Sequence, residues 1–238
     1  MIDAGRTKRP YNSQRRQQQA SATRQLVLEA AQRLFERDGY VATTMEAIAG
    51  EAGVALKTVY SAFTTKSGLL RAVWDLLLKG DTDDAPVAQR AWYREVLEEP
   101  DPERQLRLNA RNARAVKVRI GPMLRVIRSA SVVDSDGEAL WQLIQSDFYE
   151  NQRTLIAAIH RNQGLRTGLD EESAADVLWT LNHPNVWLLL VGERGWTAER
   201  FETWFTATLI QQLLDERRPK RRPPSTRREA VGEERRTR

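Results

Sequence analysis

Apolar residues recur along this chain at helical spacing. Leu26, Val27, Ala30, Ala31, Leu34 and Phe35 fall in adjacent pairs, one pair per helical turn, which lays a single apolar stripe along a helix. Thr23 suits the cap position at its start, and Gly39 stands where a helix end favours positive φ. The first predicted helix therefore runs from about Thr23 to Asp38. A shorter one begins at the Thr43-Thr44 pair, with Thr43 and Glu46 spaced as a capping box and Ile48 and Ala49 turned inward, and stops near Ala52-Gly53. A third, Ala55 to Phe63, follows after a turn short enough to demand a tight corner. Ser67 is placed to cap a fourth, Gly68 to about Lys79, whose stripe is Leu69, Leu70, Val73, Trp74 and Leu77.

Residues 80–86, rich in Gly, Asp, Thr and Pro, read as a linker. Beyond it the pattern predicts helices at about Val87–Glu98, Pro102–Ile120, Pro122–Ser131, Gly137–Asn162, Glu171–Leu181, Pro184–Glu193 and Ala198–Arg217. Asp-Pro, Gly-Pro and His-Pro pairs mark three of those starts, where proline is tolerated in a first turn. No segment alternates with period two, so the expected fold is all-α: an N-terminal three-helix helix-turn-helix domain followed by a helical bundle. Four parts are expected: a disordered basic arm over 1–22, the helix-turn-helix over 23–70, a helical dimerisation and effector domain over 71–217, and a disordered basic tail over 218–238.

Composition sharpens this in a few places. The net charge is +5, yet the two termini together carry more positive charge than that, so the body between them is acidic on balance. Basic tails on an acidic body suit a polyanionic partner, and equally serve to keep termini solvated. Cysteine is absent, which removes disulfides and thiolate chemistry. The longest apolar run, Val186 to Val191, is too short to cross a bilayer, and no apolar run follows the N-terminal arginines as in a signal peptide. The expectation is a cytoplasmic, nucleoid-associated protein with no membrane partner. Two histidines far apart in sequence offer no metal or triad constellation, and neither a Gly-rich phosphate loop nor a Gly-x-Ser-x-Gly elbow occurs. No enzyme, metal or cofactor is expected.

The informative stretch is Thr44 to Phe63, TMEAIAGEAGVALKTVYSAF. Gly53 allows a sharp corner, Ala49 a close approach, and Ile48, Val54 and Val59 hold two short helices together. The second of them would present Ala55, Leu56, Lys57, Thr58, Ser61 and Ala62 towards a major groove. Phe35, Ile48, Val59 and Phe63 are expected in the core. From Thr23 to about Trp74, through AAQRLFERDGY, TTMEAIAGEAGV, TVYSAF and TKSGLL, the sequence resembles the TetR family of bacterial transcriptional regulators.

That resemblance implies an all-α homodimer that binds a double-stranded DNA operator and is released by a small molecule. It implies phosphate contacts from Thr44 at a helix start and from Tyr60 and Lys66. Lys57, Thr58 and Ser61 become candidates for base-edge contact, with Ala55 and Leu56 beside them. Lys57 stands where the family most often has Gly or Pro, and Ala62 where an aromatic or His is frequent. The closing helices resemble those that pair two subunits in one subgroup of the family, which implies a dimer interface from Val177, Leu178, Leu181, Phe201, Trp204, Phe205, Leu209 and Leu213; these residues serve equally well as intramolecular core. A pocket for a small apolar or aromatic effector is expected among the middle helices, near Arg111, Arg114, Trp141, Phe148, Trp179, His183 and Trp187. Two other readings stand beside the ligand-responsive repressor: a constitutive or protein-controlled DNA-binding module without an effector, and a helical-bundle enzyme.

Overall fold

The structure, a computed structural model, describes residues 11–80 and 89–215. Among the described residues there is no strand, and ten α-helices run α1 (Tyr11–Ala42), α2 (Met45–Ala52), α3 (Leu56–Ala62), α4 (Lys66–Lys79), α5 (Ala91–Glu98), α6 (Pro102–Val133), α7 (Ser135–Arg161), α8 (Glu171–Asn182), α9 (Pro184–Trp187) and α10 (Ala198–Leu213). A π-helical turn, Leu188–Glu193, continues α9. The all-α expectation holds.

Local chemistry explains where the first helices begin and end, and corrects several predicted caps. Helix α1 starts at Tyr11 and not at Thr23, so the part of the predicted arm from Tyr11 onward is helical. Nothing in that stretch breaks a helix, and Gln, Arg and Ala are good helix formers. Gly39 does break α1, with φ 79°, as its position suggested. Leu26 departs from the predicted stripe and is half exposed, whereas Val27, Ala30, Ala31, Leu34 and Phe35 are buried. Thr44, not Thr43, caps α2: its Oγ1 accepts from the Ala47 N–H at 3.1 Å, while Thr43 is buried and donates to the Gly39 carbonyl. Thr65, not Ser67, caps α4, accepting from the Gly68 N–H at 2.9 Å. Such a cap contributes about 1 kcal/mol. Ser67 faces inward and donates to Asp136.

The two helices predicted around Gly121-Pro122 are one, α6. Proline inside a helix removes a hydrogen bond and costs about 3 kcal/mol. Here Val118, whose carbonyl loses its donor, lies on the exposed side of the helix. On the other side Met123, Leu124 and Ile127 are wholly buried, and each such side chain contributes about 1.5–3 kcal/mol on burial, enough to hold the helix through the proline. Asp101 and His183 do cap helices at their Asp-Pro and His-Pro pairs. Of the predicted linker only Gly80 is described; residues 1–10, 81–88 and 216–238, with the start of the predicted arm and the whole of the predicted tail, lie outside the described residues.

Two apolar clusters make the core, and α6 and α7 run through both. The first joins α1–α4 to the second half of α6 and the first half of α7, from Phe35, Ile48, Val59 and Leu70 across to Leu124, Ile127 and Trp141. The second gathers α5, the first half of α6, the second half of α7, α8 and α10 around Leu106, Ile156, Phe201 and Phe205. The N-terminal helices therefore share a core with the body. The seam is also hydrogen-bonded: Tyr40 donates to Asp134 at 2.7 Å and Ser67 to Asp136 at 2.9 Å, both acids sitting at the start of α7. Asp134 is held below the usual carboxylate range by the Tyr40 hydroxyl and by the backbone N–H groups that it caps.

Candidate functional site

Two features stand out on this frame, a polar ridge at the N-terminal end and a cavity in the body. The ridge is α3. Its Val59 is wholly buried against the first cluster, as are Ile48 of α2 and Phe63 after α3, so the helix is pinned by one side. Ala55, Lys57, Tyr60 and Ser61 face outward, and Tyr60 is 47% exposed. The side chains of Lys57, Tyr60 and Ser61 make no hydrogen bond or ion pair within the described residues. Gly53, at φ 66°, supplies the left-handed corner that ends α2 and turns the chain into α3. Thr44 is exposed at the start of α2, where free backbone N–H groups and the helix dipole favour an anion.

Other expected ridge residues sit differently. Leu56 and Ala62 are half-buried and pack on the first cluster, so they support the ridge more than they present it. Thr58 is half-buried as well. Lys66 is turned inward: its Nζ donates to the Tyr40 carbonyl at 2.9 Å and to the Thr43 carbonyl at 3.1 Å, and lies 4.2 Å from the Tyr40 ring centroid. Those contacts tie the α1–α2 corner to the start of α4. Sequence reasoning missed Arg24, which stacks on Phe63 and donates to the Ala62 carbonyl at the end of α3. A cation on the exposed side of α1 gives no periodic signal.

The cavity, about 150 Å³, lies between α4, α5, α6 and α7. Trp74 and Leu78 of α4, Trp92 and Tyr93 of α5, Ile120 of α6 and Phe148 of α7 give it apolar and aromatic walls. Its polar groups are Lys117, Asn109 and Asn112 of α6, Asp147, Asn151 and Gln152 of α7, and Asn182. Helix α4 thus lines the cavity at one end and abuts the α1–α2 corner at the other. Among the described residues no group of acids and histidines is arranged to hold a metal, and no helix is long and apolar enough to cross a membrane.

Residues 27–73, the segment that builds α3 and its supports, match the family model described as bacterial regulatory proteins of the tetR family. Over that segment the chain is similar to the TetR family. A relative, the HTH-type transcriptional regulator AcrR of Shigella flexneri, is 41% identical over 59 residues, which are 25% of this chain and 27% of that protein. The chain therefore aligns with only about a quarter of the length of that curated relative. The fold extends further than the sequence match. SmeT in its triclosan complex is 20% identical with a TM-score of 0.65, over 82% of this chain and 93% of that one. NalD of Pseudomonas aeruginosa, described as the secondary repressor of the MexAB-OprM multidrug efflux pump, is 20% identical with a TM-score of 0.61, over 84% and 99%.

In the body, one of the seven residues expected at an effector pocket, Phe148, lines the cavity. The others are occupied elsewhere. Arg114 pairs with Glu199 and Glu202 of α10, and Arg111 lies nearest Glu95. Trp141 is buried in the first cluster beneath Arg128, and Trp187 in the second against Phe201. Trp179 packs on Tyr149 and His183, whose Nδ1 accepts the Asn185 N–H in capping α9. The expected interface residues divide too. Leu178, Phe201, Phe205, Leu209 and Leu213 are wholly buried within one chain, because α8 and α10 turn their most apolar stripes onto the second cluster. Val177, Leu181 and Trp204 are half-buried and pack against the same cluster.

Proposed function

We propose that the protein is a homodimeric transcriptional regulator that binds double-stranded DNA through α3 and responds to a small molecule in the cavity of its body. The observation that carries the DNA-binding reading is α3 itself: pinned by Val59, it leaves Lys57, Tyr60 and Ser61 exposed and without internal partners beside the open start of α2. Lys57 suits a guanine edge and the Tyr60 phenol a phosphate, with Thr44 offering its hydroxyl and amide to another. The inward contacts of Lys66 give it a bracing role, holding the corner at which Thr44 sits. A role as repressor agrees with that of NalD, and response to an aromatic ligand with the triclosan complex of SmeT.

Ligand response is supported by α4, which carries Trp74 and Leu78 into the cavity and begins at the helix-turn-helix. An occupant that prefers one setting of α4 would change the separation of the two recognition helices and so change operator affinity by linkage. The parts of Val177, Leu181 and Trp204 of α8 and α10 that the second cluster leaves uncovered belong to the proposed dimer face. Selection of bound fragments from genomic DNA by the purified protein tests the reading. A palindromic site is expected, bound at least tenfold more weakly by Lys57→Ala and by Tyr60→Phe. Absence of any enriched site would overturn DNA recognition.

A further inference from the structure

Among the described residues, the body holds a buried cation with no ion-pair partner. Lys117 lines the cavity, is 4% exposed, and has the rings of Phe148, Phe201 and Phe205 within 5.8–5.9 Å of its Nζ. Its ammonium donates to the side-chain carbonyl of Asn182, whose amide donates to Gln152 at 3.3 Å, and Gln152 in turn donates to the Phe148 carbonyl at 3.0 Å. This relay satisfies one of the three ammonium donors and supplies no negative charge. A buried charge of this kind is costly unless it is paired.

The charged and titratable groups around it do not supply the pairing. From its own helix, Arg114 is a second cation whose acids, Glu199 and Glu202 of α10, are already engaged. His183, at the start of α9, is held neutral by burial and by Lys117 itself. Tyr93 of α5 is held neutral by burial. Asp147 of α7 lines the cavity but is exposed to water at its rim. Burial lowers the Lys117 pKa to about 7. Nearby on α6 the amide nitrogen of Asn109 is buried, lines the same cavity and has no acceptor.

The geometry points to a small aromatic carboxylate as the occupant of this cavity, its oxygens on the Lys117 ammonium and its ring among Trp74, Trp92 and Phe148. The volume matches one benzene ring, as an engineered apolar cavity of about that size takes benzene. The unmet donors on Lys117 and Asn109 call for an acceptor-rich ligand. This rests on the reading of the cavity as a ligand site, and names the chemistry of the ligand.

An entering carboxylate would hold Lys117 charged, so above neutral pH binding must take up a proton. Calorimetric titration of the full chain with benzoate, benzyl alcohol and benzylamine, in buffers of different ionisation enthalpy, reads this directly. Benzoate is expected to bind at least tenfold more tightly than benzyl alcohol at pH 7. At pH 8 it should take up close to one proton, and its affinity should fall by nearly tenfold from pH 7.5 to 8.5. Lys117→Met should lose the preference for benzoate and keep benzyl alcohol. Should that variant not fold, proton uptake by the parent still decides. Benzoate binding without proton uptake, or no tighter than benzyl alcohol or benzylamine, would overturn the inference. Proton-coupled benzoate binding that leaves operator affinity unchanged would uphold the inference and overturn ligand response. Operator release by benzyl alcohol with no preference for benzoate would do the reverse.

Discussion

The core beneath the helix-turn-helix and the core of the body are built from the same residue types but closed to different degrees. In the first, Val27, Phe35, Ile48, Val59, Leu69 and Leu70 are sealed from water, and the buried hydroxyls of Thr43 and Ser67 have partners. Among the described residues, the buried side-chain polar atoms that lack partners, on Gln105, Asn109, Gln145 and Trp179, all belong to the body. So does Lys117, and the cavity lies where the two clusters meet. A reading head must hold its exposed side chains to within fractions of an ångström, which close packing provides. A region that keeps empty space and unmet donors is poorly optimised for stability and well suited to accept something else.

The sharpest break of that comparison is a matched pair of truncations. Phe35→Ala removes a ring from a closed core and is expected to cost about 3–5 kcal/mol, read from the midpoint of chemical denaturation at constant slope. Phe148→Ala removes a half-buried ring that already borders a void, so the expected cost is about 1–2 kcal/mol. Equal costs would mean that the body is as tightly closed as the head.

Lys117→Met addresses the unpaired charge with a smaller effect of the opposite sign. The folded chain gives up the Lys117 proton near pH 7, the unfolded chain at the ordinary lysine value of 10.5. Between those values the unfolded chain holds more protons, so parent stability rises with pH across that window. The variant should therefore be more stable than the parent by about 2 kcal/mol at pH 6, the relief of several kcal/mol of desolvation being partly offset by the loss of a donor to Asn182. The gain should vanish between about pH 8 and 9 and reverse by pH 10, where the parent has recovered its desolvation cost and keeps the bond to Asn182, and thermal unfolding at pH 6, 8 and 10 measures it.

The same contrast decides what could be read from the sequence. The core of the head was legible because Val27, Ala30, Leu34 and Phe35 obey one period, and because Gly53 announces the corner before α3. Its caps were misassigned where two hydroxyls compete: Thr43 and Thr44, or Thr65 and Ser67, are alike in sequence and differ only in which one tertiary packing buries. In the body, Lys117 gave no signal, since a lysine on a long helix reads as solvated until α7, α8 and α10 close over it. Of the aromatic residues expected at a pocket, Trp141 and Trp187 are core, whereas Phe148 lines the cavity. Leu178, Phe205 and Leu209 form a stripe that would suit either an interface or an interior, and only the folded chain shows them turned inward.

Where head and body meet, the hydrogen bond from Tyr40 to Asp134 offers the mildest perturbation. Burial, then the bond to Asp134, keeps the phenol protonated, so it remains a donor at any ordinary pH. Asp134 is held below its usual 3.8, with the Tyr40 bond as the first cause. The stability that this adds is present above pH 3.8 and is lost as the pH falls through the lowered folded value. Tyr40→Phe keeps the ring stacked on Phe35 and beneath Lys66, and deletes only the hydroxyl. It should cost about 1–2 kcal/mol at pH 7, in the range of a partly buried bond to a charged acceptor, and progressively less below pH 3.8. Should the seam transmit ligand binding, the variant would also weaken the response of operator affinity to an occupant of the cavity while leaving affinity for that occupant unchanged. A full response with the expected loss of stability would place the coupling in α4 alone, with Tyr40 and Asp134 as a structural tie.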